Sequence, residues 1–335
     1  MLLVVTYHYV VERRSGAGRA IFPVTTAELE RQLELLARRF ELVGREELLG
    51  AIEGRTMLPA EACLVTFDDG LRSQFELALP LLERLGVPAI FFVAGAPLAE
   101  GRPLQVHKLH AVRERLGDEQ ILEHQGVREA LERIPPAGRD VYPYDTPLAV
   151  LVKRVLTTGL PAPERDRIVD TLFERVSDDE RRFASELYMS REQVAELERA
   201  HGAVGSHGYG HRPLASLGRE RAGHDLERGA STLATVTGVR PLTVSYPYGN
   251  TEAVDVEVAR AAAAAGFRAG FTTERAVNLT LGEPLLLGRI DTNDAPGGRS
   301  PLLDLDRPDL GVTPPLTSGR KAHFVETPGT RRAVR

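Results

Sequence analysis

The sequence predicts an α/β fold whose parallel strands close toward a barrel. Two observations predict it: about seven short apolar runs bounded by turn residues, and helical patterns lying between them. Strands alternating with helices build a parallel sheet, and about seven of them favour closure over an open sheet. A third observation adds a second part. The alternation breaks from Arg102 to Ser190, a charged, mostly helical stretch interrupted at Pro135-Pro136 and from Pro161 to Pro163.

The runs that read as buried strands are Leu2–Thr6, Ala62–Phe67, Ala89–Val93, Ala203–Ser206, Thr243–Tyr246, Ala269–Thr272 and Leu285–Ile290. Among the helical patterns, Thr26–Arg39 opens on a threonine cap and carries Leu29, Leu33 and Leu36 at helical spacing. Ser73–Leu85 stops at Gly86 with Pro88 beyond, and Glu252–Ala265 stops at Gly266. The expected organisation is a barrel over residues 1–299, with a helical insertion at about 102–190. The Pro-, Gly- and Arg-rich residues 300–335 suit a loosely ordered tail.

Composition narrows the function classes. The 335 residues are 42% hydrophobic and 27% charged, ordinary for a globular protein. A net charge of −5 with no basic stripe before the tail speaks against a nucleic-acid partner. The single cysteine, Cys63, excludes an internal disulfide and a Cys-based zinc site, and its apolar neighbours suggest a buried, inert thiol. The start, MLLVVTYHYV, lacks a charged leader, and no segment approaches the ~20 apolar residues of a membrane span. A cytoplasmic protein is expected.

Three motifs follow apolar strands. Thr66-Phe67-Asp68-Asp69-Gly70 sets two carboxylates side by side, which raises one pKa unless a cation compensates. A solvated Asp-Asp-Gly turn is the plain alternative. Ser206-His207-Gly208-Tyr209-Gly210-His211-Arg212-Pro213 offers two imidazoles on a Gly-broken loop. With one Asp they form a three-ligand set suited to zinc or a related divalent ion, leaving an open position. Ser245-Tyr246-Pro247-Tyr248-Gly249-Asn250 is a turn able to present backbone N–H groups and a tyrosine to the same rim. Each motif alone has a bland reading. Together, at ends of strands in one sheet, they point to a metal centre.

These residues resemble the polysaccharide deacetylases, carbohydrate esterase family 4 (the NodB-homology domain). The likeness rests on TFDDG, His207-x-x-x-His211 and YPYG at Tyr246–Gly249, in the family's order, and extends over roughly Leu2 to Asp294. It implies a deformed (β/α) barrel and a metal-dependent hydrolase that removes an N-acetyl group from an amino sugar. Asp68 would be the general base, Asp69, His207 and His211 the metal ligands, and the Tyr248 N–H an oxyanion donor. The ion, most simply Zn²⁺, would activate a water and polarise the acetyl carbonyl.

The chain departs from the family pattern in places. Ser245 stands where many members have the arginine that orients the base. The family's tryptophan-containing motif has no counterpart, because the chain has no Trp. Leu287-Gly288-Arg289-Ile290-Asp291 replaces a Leu-x-His that carries the general acid. His8, in Thr6-Tyr7-His8-Tyr9, resembles the first-strand histidine of the poly-N-acetylglucosamine deacetylase branch and is the alternative acid; a core histidine bonded to backbone is the competing reading. Arg289 can stand in for the missing arginine. Arg289, Asp291 and Tyr246 are candidate substrate contacts, although Asp291, Asn293 and Asp294 also suit a turn. His107 and His110 are expected on a helix surface. The expected substrate is an N-acetylated sugar, or a nucleotide- or lipid-linked glycan precursor. Deformylation or other C–N amide hydrolysis on the same scaffold, and a catalytically degenerate glycan-binding barrel, are the alternatives.

Overall fold

A computed structural model of the chain describes residues 1–14, 21–134, 145–307 and 310. It divides into two compact units. One joins Met1–Arg13, Val24–Glu100 and the chain from Leu187 onward; the other joins Arg14–Pro23 to Gly101–Glu186.

The first unit holds the strands. They are β1 (Leu2–Tyr7), β2 (Val10–Val11), β3 (Val24–Thr25), β4 (Glu41–Val43), β5 (Ala62–Phe67), β6 (Ala89–Val93), β7 (Val204–Ser206), β8 (Thr243–Ser245), β9 (Ala269–Phe271) and β10 (Ile290–Asp291). One parallel sheet runs β10-β1-β5-β6-β7-β8-β9, and β4 flanks the first half of β5 where β6 has not yet begun. β2 and β3 form a separate parallel pair. β2, β3 and β4 escape the sequence reading because they are short and only partly buried, unlike the fully buried β7, β8 and β9, and so stand out less as apolar runs.

Closure comes from one segment. Leu287 bridges Phe271 of β9, and three residues later Ile290 pairs with Val5 of β1. The chain thus touches both edges of the sheet, which curls into a deformed (β/α) barrel. For the same reason the strand expected over Leu285–Ile290 shrinks to Ile290–Asp291: the segment crosses between edges and does not run along one.

Side-chain alternation sorts the strands into two layers. Leu3, Val5 and Tyr7 of β1 pack outward with Leu29, Leu33 and Leu36 of the helix Thr26–Ala37. Leu2 and Val4 pack inward with Ala62, Leu64, Ile90, Phe92 and Phe271. Both faces of the long strands are therefore covered, which is why they read as continuous apolar runs. Cys63 is buried and its thiol pKa is pushed up by burial.

The helix boundaries follow local chemistry. Thr25 caps Thr26–Ala37 in a reciprocal capping box with Glu28. The stretch expected as one helix over Ser73–Leu85 instead begins with a π-helical turn, Gln74–Ala78, and continues as Leu79–Leu85 to a left-handed Gly86. Asp255 caps Val256–Ala264. None of the helices among the described residues is long and apolar enough to cross a membrane.

The second unit is helical and has its own core, in which Leu109, Val112 and Ile121 meet Val169, Leu172 and Phe173. Lys108 is buried between Asp170, at 2.7 Å, and Glu180. His107 is also buried, its ring edge-on to that of His110, which corrects the expected helix-surface position. Pro161 precedes the helix Ala162–Phe173, as its break predicts, while Pro135-Pro136 lie outside the described residues. Of the expected tail, residues 300–307 and Leu310 are described, and Leu303 and Leu310 join the first unit's core; the remainder lies outside the described residues.

Candidate active site

Strand parity delivers the functional side chains to one end of the barrel. Ala62, Leu64, Thr66 and Asp68 share the inward face of β5, so the fourth of them emerges at the C-terminal mouth. The same rule carries Gly205 to His207 beyond β7. Asp69 would point away, but its φ of 80° ends the alternation. Four non-glycine residues among those described have positive φ, and three belong to the motifs: Asp69, His211 (51°) and Tyr248 (62°). Each such backbone costs on the order of 1 kcal/mol and persists where the surroundings enforce it, commonly at working sites.

Asp69, His207 and His211 converge. One ligand atom from each lies within 4.8 Å of the others, and both histidine Nε2 atoms are 3.4 Å from Asp69 Oδ1. Two ligands each about 2.1 Å from one tetrahedral ion would stand about 3.4 Å apart. His207 Nδ1 lies 2.8 Å from the Ser245 carbonyl, which can only accept, so Nδ1 carries the proton and Nε2 faces the cluster. This buried nitrogen, nitrogen and oxygen donor set fits a small divalent cation. Burial disfavours charge on His207, but Asp68 and then Asp69 outweigh it and raise its pKa, so an ion there competes with a proton.

Asp68 occupies a different environment. Arg289 donates to both its oxygens, Nη1 to Oδ1 at 2.8 Å and Nη2 to Oδ2 at 2.6 Å. Ser245 Oγ donates to Oδ2 at 3.0 Å and accepts from Arg289 Nη2 at 2.8 Å. Burial alone would raise the carboxyl pKa; the charge and hydrogen bonds of Arg289, with His207 and His8, reverse this and hold it at about 2. His8 Nε2 sits 4.0 Å from Asp68 Oδ2, its side chain 39% exposed at the mouth. The Tyr248 ring packs edge-on against His211, with 4.9 Å between centroids.

The histidine loop is clamped from outside. Asp225 accepts from the N–H groups of Tyr209 at 2.8 Å and Gly210 at 3.1 Å. Tyr209 donates its hydroxyl to Glu100 at 2.5 Å, under the Arg228 guanidinium. Gly229, on the helix Arg219–Thr237, lies so close that a Cβ there would stand 2.6 Å from the Gly208 carbonyl. None of these supports was visible in sequence, since each partner comes from a distant helix.

Two expected substrate contacts do not suit that task. Tyr246 has no exposed surface and donates its hydroxyl to the Leu285 carbonyl, so it is a core residue. Arg289 is 1% exposed and committed to Asp68. Asp291 accepts from Asn293 through Oδ1, a turn contact, and Asp294 is buried against Arg275.

The polysaccharide deacetylase family profile matches residues 57–118 and 173–270. Those segments contain the acidic pair, both histidines and Tyr246–Gly249. Among solved structures the chain is similar to the Streptococcus pyogenes deacetylase PplD in complex with acetate. There the TM-score is 0.55 at 13% identity, over 87% of this chain and 91% of that one. It is also similar to IcaB from Ammonifex degensii (TM-score 0.52, 21% identity, 86% and 90%). The deacetylase domain of BpsB from Bordetella bronchiseptica is a third (TM-score 0.50, 17% identity, 87% and 95%). At these identities the likeness speaks for the fold. The curated proteins yield no match. The profile match, the shared fold and the motifs at one barrel mouth lead to one assignment: the chain belongs to the polysaccharide deacetylase family and is a carbohydrate N-deacetylase.

Proposed function

We propose that this chain hydrolyses the N-acetyl group of an amino sugar or glycan precursor with a divalent metal, zinc, held by Asp69, His207 and His211. The observation that carries the reading is the 3.4 Å convergence of both imidazoles on Asp69, next to a carboxylate already oriented by Arg289. When bound, such an ion supplies Lewis-acid polarisation of the acetyl carbonyl and makes water more acidic.

Asp68 takes the proton of the attacking water. Its pKa of about 2 keeps it ionised, and Arg289 and Ser245 fix which way its oxygens face. The Tyr248 N–H, on a backbone turned to positive φ, donates to the oxyanion as the acetyl carbon becomes tetrahedral. His8 gives a proton to the departing amine, which otherwise leaves poorly. Its nearness to Asp68 and its exposure at the mouth support that role. The buried and fully bonded Arg289–Asp68–Ser245 unit argues against a degenerate barrel that only binds glycans, since nothing in mere binding requires a preorganised ionised base.

The test is metal content measured together with acetate release from a panel of N-acetyl sugars. The reading expects stoichiometric metal and acetate release that chelation abolishes. Full activity after complete chelation would reject it, and release of formate from an N-formyl sugar in preference to acetate would reassign the substrate.

A further inference from the structure

Gln74 is completely buried, and the proposed chemistry does not use it. Its amide nevertheless spends both its donors, and accepts once, on main-chain groups around the site. Nε2 donates to the carbonyl of His8 at 2.9 Å and to the carbonyl of Asp68 at 2.6 Å, while Oε1 accepts from the N–H of Leu71 at 3.2 Å. β1 and β5 pair up to Tyr7 and Phe67. His8 and Asp68 are the next residues on each strand, so Gln74 adds one rung, made by a side chain, just past the end of the backbone ladder. It is also the first residue of the π-helical turn, a feature frequent at functional sites.

We infer that Gln74 is a positioning residue that fixes the His8 backbone relative to Asp68, setting the 4.0 Å separation of the two side chains. This rests on the reading of His8 as acid and Asp68 as base. The asymmetry of the site sharpens it. The Asp68 carboxylate is gripped independently by Arg289 and Ser245. His8 lies beyond the last pair of β1, with its side chain open to solvent. Losing the rung should therefore cost the acid more than the base. The site also specifies a glutamine. Two carbonyls face Nε2 and demand donors; a glutamate would oppose them with an acceptor, and an asparagine is one methylene short.

Leaving-group dependence tests this. Hydrolysis of an N-acetylglucosamine tetramer requires protonation of an amine, whereas 4-nitrophenyl acetate releases a phenolate that needs no acid. Gln74→Met should lower kcat on the tetramer by on the order of 10²-fold, the usual worth of a general acid, with the ester rate and zinc affinity within about 3-fold of the parent. His8→Ala should show the same ratio, and the double variant should be no slower than His8→Ala alone, because both remove one unit. If Gln74→Met fails to fold, Gln74→Asn retains a polar side chain whose amide stops one methylene short of the two carbonyls, and the same ratio decides. Equal losses on amide and ester, an unimpaired amide rate, or additive effects in the double variant would overturn the inference while leaving the acid assignment intact. A normal amide rate in His8→Ala would instead overturn the acid assignment, and the role of Gln74 with it.

Discussion

Arg289 holds both oxygens of Asp68 from a segment 221 residues further along the chain, at 2.8 and 2.6 Å, with both side chains almost fully buried. The pair has a strand-end carboxylate on one side and, on the other, the segment that closes the barrel. Closure of the fold and ionisation of the base are thereby the same event: the crossing that brings Ile290 onto β1 also delivers the guanidinium.

Arg289→Met should shift the acidic limb of the kcat/KM profile to higher pH. Burial raises the Asp68 pKa, and Arg289 is the main influence opposing it. Without the guanidinium, protonation begins at higher pH and removes the base. The native carboxyl, depressed to about 2, adds stability that is fully present above the unfolded pKa of about 3.9 and is lost as pH falls through 2. Removing its partner leaves a buried charge unpaired, so urea unfolding at neutral pH should show a loss of about 3–5 kcal/mol. An unshifted limb would reject the pairing as the cause of the low pKa.

Asp68→Asn should retain metal and lose turnover by about 10²–10⁴-fold. The amide is nearly isosteric and is not among the three converging ligand groups. Metal analysis beside single-turnover acetate release separates the outcomes, and a parental rate would remove Asp68 from the role of base.

His207→Ala and Asp69→Asn should each lose metal and hydrolysis together. Each removes one of three protein ligands. Zinc titration with a competing chromophoric chelator gives the affinity directly; undiminished affinity in both variants would show that the ion is held elsewhere.

Gly229→Ala tests the support of the histidine loop. The added methyl would meet the Gly208 carbonyl at 2.6 Å and the Tyr209 nitrogen at 3.0 Å. The loop between His207 and His211 must then move off the helix. Overpacking of this kind costs about 1–3 kcal/mol, and zinc affinity should fall with it. A variant with the parental melting temperature and affinity would show that the loop yields freely.

Much of the barrel was legible along the chain because each part has a local cause. Apolar runs marked β1, β5, β6, β7, β8 and β9 to within a residue or two, since strands covered on both faces are mostly apolar. Gly86 stopped its helix as expected, because only a left-handed residue turns the chain there cheaply. The acidic pair and the two histidines were recognisable from residue type and spacing, and they lie together at one mouth because each follows the end of a parallel strand.

What lay beyond the sequence was most of the contacts between distant segments. Nothing local distinguishes Arg289 as the partner of Asp68 from a sugar contact, or Tyr246 as a core residue from a rim residue. Gln74, Asp225 and Gly229 look like ordinary helical residues until folding sets them against the backbone of the site. Sequence by itself determined which side chains carry chemistry and where strands end, because those depend on residue type and period. Tertiary structure alone decided who faces whom, because hydrogen bonds and charge pairing act over a few ångströms of space, and chain order does not encode that distance.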